Sequence, residues 1–406
     1  MAKKNKKKKW TRLRHRIITG LGAPVMGLFS RLRYGVKIEK FKEQGNRPYL
    51  ILLNHQTVFD QFYVAASFRG AIYYVATEDI FSNGWVSSLI RWLVAPIPIK
   101  KQTTDVSAVM NCLRVAKEGG TICIAPEGNR TYSGRTEYMN PAIGGLAKKL
   151  GLPIALYRIE GGYGVQPRWC DGVRRGKMKA YVSRVIEPEE YKNLTPDQLA
   201  EMIAEGLYVD ETKIEGKYTC KARAQYMERA MYVCPYCGLS VFESNGHEIE
   251  CKTCGRKIVY GEDKRLTGVG FDFPFEFVAQ WYDYQKEFVN HLMVTEHTQK
   301  PFYRDVANFS QVIVYKEKLR LRENADICLY GDRVVVGEDT ADPVVFPFDE
   351  VMAVSVLGRN KLNIYHDDKV YQFKGSKSFN ALKYVNIYYR YKNLTRGNAD
   401  GKFLGL

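Results

Sequence analysis

Leu50-Ile51-Leu52-Leu53 is an unbroken apolar run that passes directly into Asn54-His55-Gln56-Thr57-Val58-Phe59-Asp60. A short apolar run bounded by polar residues predicts a buried strand, here Tyr49 to Asn54, and the periodicity of Phe59 to Phe68 predicts a helix immediately after it. The same alternation continues outward. Ala71 to Ala76 reads as a strand. Thr104 and Asp105 start a helix whose apolar positions are Val106, Val109, Met110, Leu113 and Ala116, and Gly119-Gly120 ends it before a strand from Thr121 to Ala125. Leu146 to Leu150 closes another helix before the strand Pro153 to Arg158. Strands alternating with helices from about residue 48 to 185 predict an α/β fold, a mixed sheet flanked by helices, with a ligand site at the strand ends.

Two loops at those strand ends carry chemistry. In the first, His55 leaves a strand and Asp60 follows one helical turn on, so the carboxylate can hold one ring nitrogen protonated and leave the other free to take a proton from a hydroxyl. The plainer reading is a His and an Asp at a helix start. In the second, Ala125-Pro126-Glu127-Gly128-Asn129-Arg130, Gly128 permits a tight turn and Arg130 can present a planar fork to a phosphate. Alone, this would be a turn with a surface arginine.

Cys234-Pro235-Tyr236-Cys237 and Cys251-Lys252-Thr253-Cys254 form a third pattern, each pair followed by glycine (Gly238, Gly255). Two such knuckles predict one tetrahedral Zn²⁺ with four thiolate ligands and no place for water, hence a structural zinc. His247 lies between the pairs and is expected to be exposed. The other five cysteines are scattered, which suits a reducing compartment.

The chain has 406 residues and a net charge of +17. Nine of its cations, from Lys3 to Arg16, precede the first acid. Ile17 to Phe29 is then apolar for thirteen residues, short of the roughly 20 needed to span a bilayer. This pairing suits a segment lying on an anionic membrane surface, on the cytoplasmic face, against the alternative of an ordinary buried helix. Trp85 to Ile99 is apolar but broken by Arg91, Pro96 and Pro98; Trp85, Leu89, Ile90, Trp92, Leu93 and Val94 are expected in the core, with an acyl-chain groove as the alternative. Phe271 to Val294 is aromatic-rich and reads as a linker helix. From about residue 311, short β-like runs and a last helix from Ser378 to Tyr391 suggest a small barrel or sandwich of the pleckstrin-homology kind.

With these motifs in hand, residues 35 to 210 resemble the lysophospholipid acyltransferase superfamily, of the 1-acylglycerol-3-phosphate acyltransferase type. Asn54, His55 and Asp60 match that family's Asn-His-x-x-x-x-Asp, and Pro126, Glu127, Gly128 and Arg130 match its Pro-Glu-Gly-Thr-Arg, with Asn129 replacing Thr. Where the family has isoleucine-x-arginine, Ile99-Lys100-Lys101 offers lysine, which keeps the charge and loses the fork. Leu152 to Leu156 resembles a further apolar block around a proline. The resemblance implies direct transfer of an acyl group from acyl-CoA or acyl carrier protein to a hydroxyl of a lysophospholipid. In that scheme His55 is the base, Asp60 orients it, Arg130 and Lys101 bind phosphate, Glu127 contacts the acceptor or holds the turn, Gly128 belongs to the same substrate-binding loop, and no metal takes part.

The expected organisation is a membrane-associating segment (1–34), an acyltransferase domain (35–230), a zinc ribbon (231–264), a linker helix (265–300) and a β-rich domain (301–406). Two rival classes are a nucleic-acid-binding zinc-ribbon protein and an inactive lipid-binding scaffold. The first leaves the α/β half unexplained, so no nucleic acid is expected; the second is disfavoured by intact His55, Asp60, Glu127 and Arg130.

Overall fold

The computed structural model describes residues 9–81, 84–99, 105–313, 318–398 and 401–405. The chain forms two compact units that interleave along the sequence. The first holds the described residues of Met1–Asn129, Met139–Glu160 and Met178–Val209; the second holds those of Arg130–Tyr138, Gly161–Lys177 and Asp210–Leu406. This partition differs from a linear domain over 35–230, because 130–138, 161–177 and 210–230 go with the second unit.

The first unit is built on seven strands: β1 (Val36–Ile38), β2 (Leu50–Leu53), β3 (Ile72–Thr77), β4 (Ile97–Ile99), β5 (Thr121–Ile124), β6 (Ile154–Glu160) and β7 (Met178–Ile186). Their order is β1-β7-β6-β2-β5-β3-β4. Only β6 and β7 run antiparallel, so the sheet is mixed as expected. Leu50, Ile51, Leu52, Ile122, Ile154 and Leu156 are wholly buried, the signature of parallel strands covered on both faces. The covering helices include α1 (Leu13–Tyr34), α2 (Asp60–Ser67), α3 (Gly84–Val94), α4 (Val106–Lys117) and α5 (Ala142–Leu150). Asp105 caps α4 by accepting the Ala108 amide at 3.1 Å.

Helix α1 is amphipathic in the reverse sense. Its buried residues are His15, Gly27, Ser30 and Tyr34. Leu13, Ile17, Leu21, Val25, Leu28 and Leu32, spaced three or four apart, are each 53–80% exposed. On α3, Trp85, Leu89 and Trp92 are exposed too, which corrects the expectation that they form core. Helix α3 packs on α1 and leaves these side chains on its outer face.

The second unit contains the hairpin β8 (Val233–Cys234) and β9 (Gly238–Leu239), and an antiparallel sheet of β10 (Phe242–Asn245), β11 (Glu248–Cys251), β12 (Lys257–Tyr260) and β13 (Leu266–Gly268). A second antiparallel sheet comprises β14 (Tyr303–Val312), β15 (Leu319–Leu329), β16 (Arg333–Val336), β17 (Val344–Pro347), β18 (Ala353–Leu357), β19 (Lys361–His366) and β20 (Lys369–Gly375). Its strands follow one continuous order, β17-β16-β15-β14-β20-β19-β18. The expected linker helix is a shorter one, Val278–His291, and it is core: Trp281 and Tyr282 are buried, and the Trp281 indole donates to the Val233 carbonyl at 2.8 Å. A second helix, Leu382–Thr395, is also largely buried.

Packing in the first unit demands one glycine. Gly144 in α5 faces the helix Pro196–Leu207 so closely that a Cβ would sit 1.9 Å from the Pro196 carbonyl oxygen. Gly144→Ala should therefore cost about 1–3 kcal/mol or more, since a backbone atom cannot rotate aside as a side chain can. An unchanged melting temperature in that variant would contradict this packing.

Candidate active site and cysteine cluster

Strand β2 ends at Leu53, and the next residue continues its pairing by side chain. The Asn54 amide donates to the Ile159 carbonyl and accepts from the Ile159 amide, both at 2.8 Å, tying the strand exit to β6. His55 therefore leaves from a fixed point.

Asp60, the first residue of α2, is 1% exposed at its side chain. A carboxylate taken out of water needs donors, and this one has four. Oδ2 accepts from the Gln56 amide at 2.7 Å and lies 2.8 Å from His55 Nδ1. Oδ1 accepts from the Thr57 amide at 2.9 Å and the Thr57 hydroxyl at 2.6 Å. The helix N-terminus adds a favourable field. An ionised carboxylate only accepts, so Nδ1 carries the ring proton and Nε2 is left with its lone pair. With 29% of its side chain exposed, His55 is open to a reactant while its partner is not.

Strands β2 and β5 are parallel neighbours, so their C-terminal ends lie side by side. Glu127, in the loop after β5, accepts the His55 backbone amide through Oε1 at 2.9 Å. Gly128, at φ +67°, makes that turn by donating to the Ala125 carbonyl at 3.0 Å. Of the residues singled out from sequence, His55, Asp60, Glu127 and Gly128 thus sit in the first unit. Arg130 begins a segment of the second unit and is buried there. Lys101 lies outside the described residues. Thr57 was not anticipated as a partner of Asp60, although Thr-x-x-Asp is a known helix-start spacing.

In the second unit, Cys234, Cys237, Cys251 and Cys254 come together with all four sulfurs within 4.8 Å of one another. Cys237 and Cys251 are 3.5 Å apart, Cys234 and Cys254 3.9 Å. A tetrahedral ion with bonds of about 2.3 Å to sulfur needs sulfurs roughly 3.8 Å apart, so the four could hold a metal ion. Gly238 and Gly255 take positive φ, 74° and 70°, as each knuckle turns back. Burial opposes ionisation of Cys254, but hydrogen bonds from the Arg256 amide and side chain outweigh it and bring the thiol down to about 7, whereas burial pushes the Cys234 and Cys237 thiols up. His247 is half-buried rather than exposed, its Nδ1 accepting the Arg223 amide at 3.2 Å.

Residues 35–158 match the family model described as Acyltransferase. That span contains His55, Asp60, Glu127, Gly128 and Arg130. Two curated relatives are chloroplastic 1-acyl-sn-glycerol-3-phosphate acyltransferases. One, from Brassica napus, is 23% identical over 164 residues, 39% of this chain and 46% of the relative. The other, from Arabidopsis thaliana, is 22% identical over 159 residues, 38% of this chain and 44% of the relative. The chain spans less than half the length of either. Among solved structures, the 1-acyl-sn-glycerophosphate acyltransferase PlsC of Thermotoga maritima is 19% identical, covering 48% of this chain and 76% of that one at a TM-score of 0.40.

The cysteine geometry makes a direct prediction. Elemental analysis of the purified chain should find about one equivalent of metal. Cys234→Ser should abolish it and loosen the β8–β12 region in hydrogen exchange, because structural metals contribute on the order of 10 kcal/mol to small modules. A metal-free chain with native protection there would refute the reading.

Proposed function

We propose that the chain is an acyltransferase that moves a fatty acyl group from acyl-CoA or acyl carrier protein to a hydroxyl of a lysophospholipid, of which 1-acylglycerol-3-phosphate is the leading candidate, in phospholipid biosynthesis. The observation that carries this reading is the half-buried, solvent-accessible His55 imidazole held through Nδ1 by a buried, four-fold hydrogen-bonded Asp60. The acyltransferase match and the relatives supply the reaction class.

His55 Nε2 takes the proton of the acceptor hydroxyl as its oxygen attacks the thioester carbonyl carbon. Asp60 stabilises the imidazolium that results. The carbon–sulfur bond then breaks, the imidazolium returns its proton to the leaving thiolate, and ester and free thiol are the products. No acyl-enzyme forms. Glu127 acts on the base by fixing the His55 backbone. By its match to the family motif, Arg130 is assigned to the acceptor's phosphate, with Lys101 as a second cation.

The cysteine cluster we assign to zinc in a structural role, since four thiolates close the coordination shell and the ion has no part in acyl transfer. Docking we assign to an anionic membrane surface on the cytoplasmic side, met peripherally. No helix among the described residues is long and apolar enough to cross a membrane. The outward apolar row of α1 and the exposed α3 tryptophans suit a helix pair lying in the interface, and the basic composition of the sequence before Ile17 suits anionic headgroups.

Two experiments test the proposal. His55→Ala should lower kcat by roughly 10²- to 10⁴-fold with the fold intact; near wild-type turnover of thioester and lysophospholipid would remove His55 from the chemistry. In flotation with phosphatidylserine-containing vesicles, the double substitution Leu21→Glu, Leu28→Glu should release most of the bound protein, because charged side chains resist burial in the interface. Unchanged flotation would place docking elsewhere.

A further inference from the structure

The loop that carries Arg130 is held by the far end of the sequence. Arg168, 1% exposed, donates from Nη1 to the Arg130 carbonyl at 2.9 Å. The same guanidinium donates from Nε to the Gly358 carbonyl at 3.0 Å and from Nη2 to the Val356 carbonyl at 3.3 Å, both at the end of β18. It lies over the Tyr132 ring, 4.3 Å from the centroid, and the Tyr132 hydroxyl donates to the Arg359 carbonyl at 3.2 Å. Asp171 closes the ring of contacts by accepting from Arg359 at 3.1 Å and Arg229 at 2.7 Å.

The geometry of the fork holds the Arg168 guanidinium against these three carbonyls, because each nitrogen has a different acceptor to reach. Two of the acceptors lie at the end of β18, Val356 in the strand and Gly358 in the turn to β19; the third is the peptide oxygen of Arg130 itself. The Arg130 backbone, from which its side chain projects, is thereby registered against the C-terminal sheet.

We infer that Arg168, with Tyr132, is a positioning residue for recognition of the acceptor's anionic headgroup: it makes the β18–β19 turn the support on which Arg130 is aimed. This rests on the assignment of Arg130 to the acceptor's phosphate. It gives the C-terminal sheet a part in acceptor selection without placing any of its residues on the substrate.

The test compares Arg168→Lys, Tyr132→Phe and Arg130→Lys in the full chain, with 1-acylglycerol-3-phosphate and an acyl-CoA as substrates. Lysine keeps the charge of Arg168 but cannot span three carbonyls; phenylalanine keeps the ring of Tyr132 and loses only its hydroxyl. The expected result is a KM for the acceptor raised roughly 10-fold in Arg168→Lys and several-fold in Tyr132→Phe, as displacement of a binding group predicts, with the KM for the thioester unchanged. A partly unfolded population would lower kcat and leave both KM values alone, so the split separates positioning from general stability. If Arg168→Lys does not fold, Tyr132→Phe decides. If Arg130→Lys raises the acceptor KM while the folded Arg168 and Tyr132 variants do not, this inference falls and the assignment of Arg130 stands. If Arg130→Lys leaves it unchanged, both fall.

Discussion

The candidate site depends on a carboxylate that has been taken out of water. The Asp60 side chain is 1% exposed, and two backbone amides, one hydroxyl and one imidazole replace the hydration it has lost. All four donors come from the segment between β2 and α2, and three of them would hold the carboxylate without the histidine. The loop is thus wound around Asp60, and His55 joins an arrangement already satisfied. Its Nδ1 proton is committed, its Nε2 lone pair is not, and the assignment of base follows from that asymmetry.

Because the loop is short, its anchoring has to come from the sheet. Asn54 supplies it by pairing with the Ile159 peptide where the β2 ladder ends. Glu127 supplies a second hold from the β5 side by accepting the His55 amide. Sequence reasoning placed Glu127 against the acceptor or in support of its own turn; the hydrogen bond adds the backbone of the candidate base as a partner. A carboxylate so engaged helps to fix where the imidazole sits.

How much of this was legible in the sequence depends on how local each cause is. The strands β2, β3, β5 and β6, the helix α2 and the cap at Asp105 follow from apolar runs, periodicity and capping residues that act over a few positions. The cysteine cluster was legible because two CxxC spacings each encode a turn. What escaped depends on distant partners. Trp85 and Trp92 have the composition of core, and only the packing of α3 on α1 shows them on the outer face. The aromatic run after Phe271 looked like a connector; Trp281 becomes core because Val233 and Phe242 approach it from some forty residues away. The interleaving of 130–138 and 161–177 with the C-terminal unit has no periodic signature at all.

That interleaving also changes how the two ends of the chain should be regarded. A module appended to a finished domain would meet it through exposed side chains at a boundary. Here the contacts are buried arginines whose acceptors are backbone carbonyls: Arg168 on Arg130, Val356 and Gly358, Arg174 on Arg223, Arg229 on Trp169. Backbone acceptors cannot be replaced by changing one side chain, and an unmatched buried guanidinium is costly, so each such bond ties the segments it joins into one cooperative structure. Segments 130–138 and 161–177 are thereby bonded into the compact unit formed with residues beyond 210, and the stretch that follows Asn129 takes its shape there.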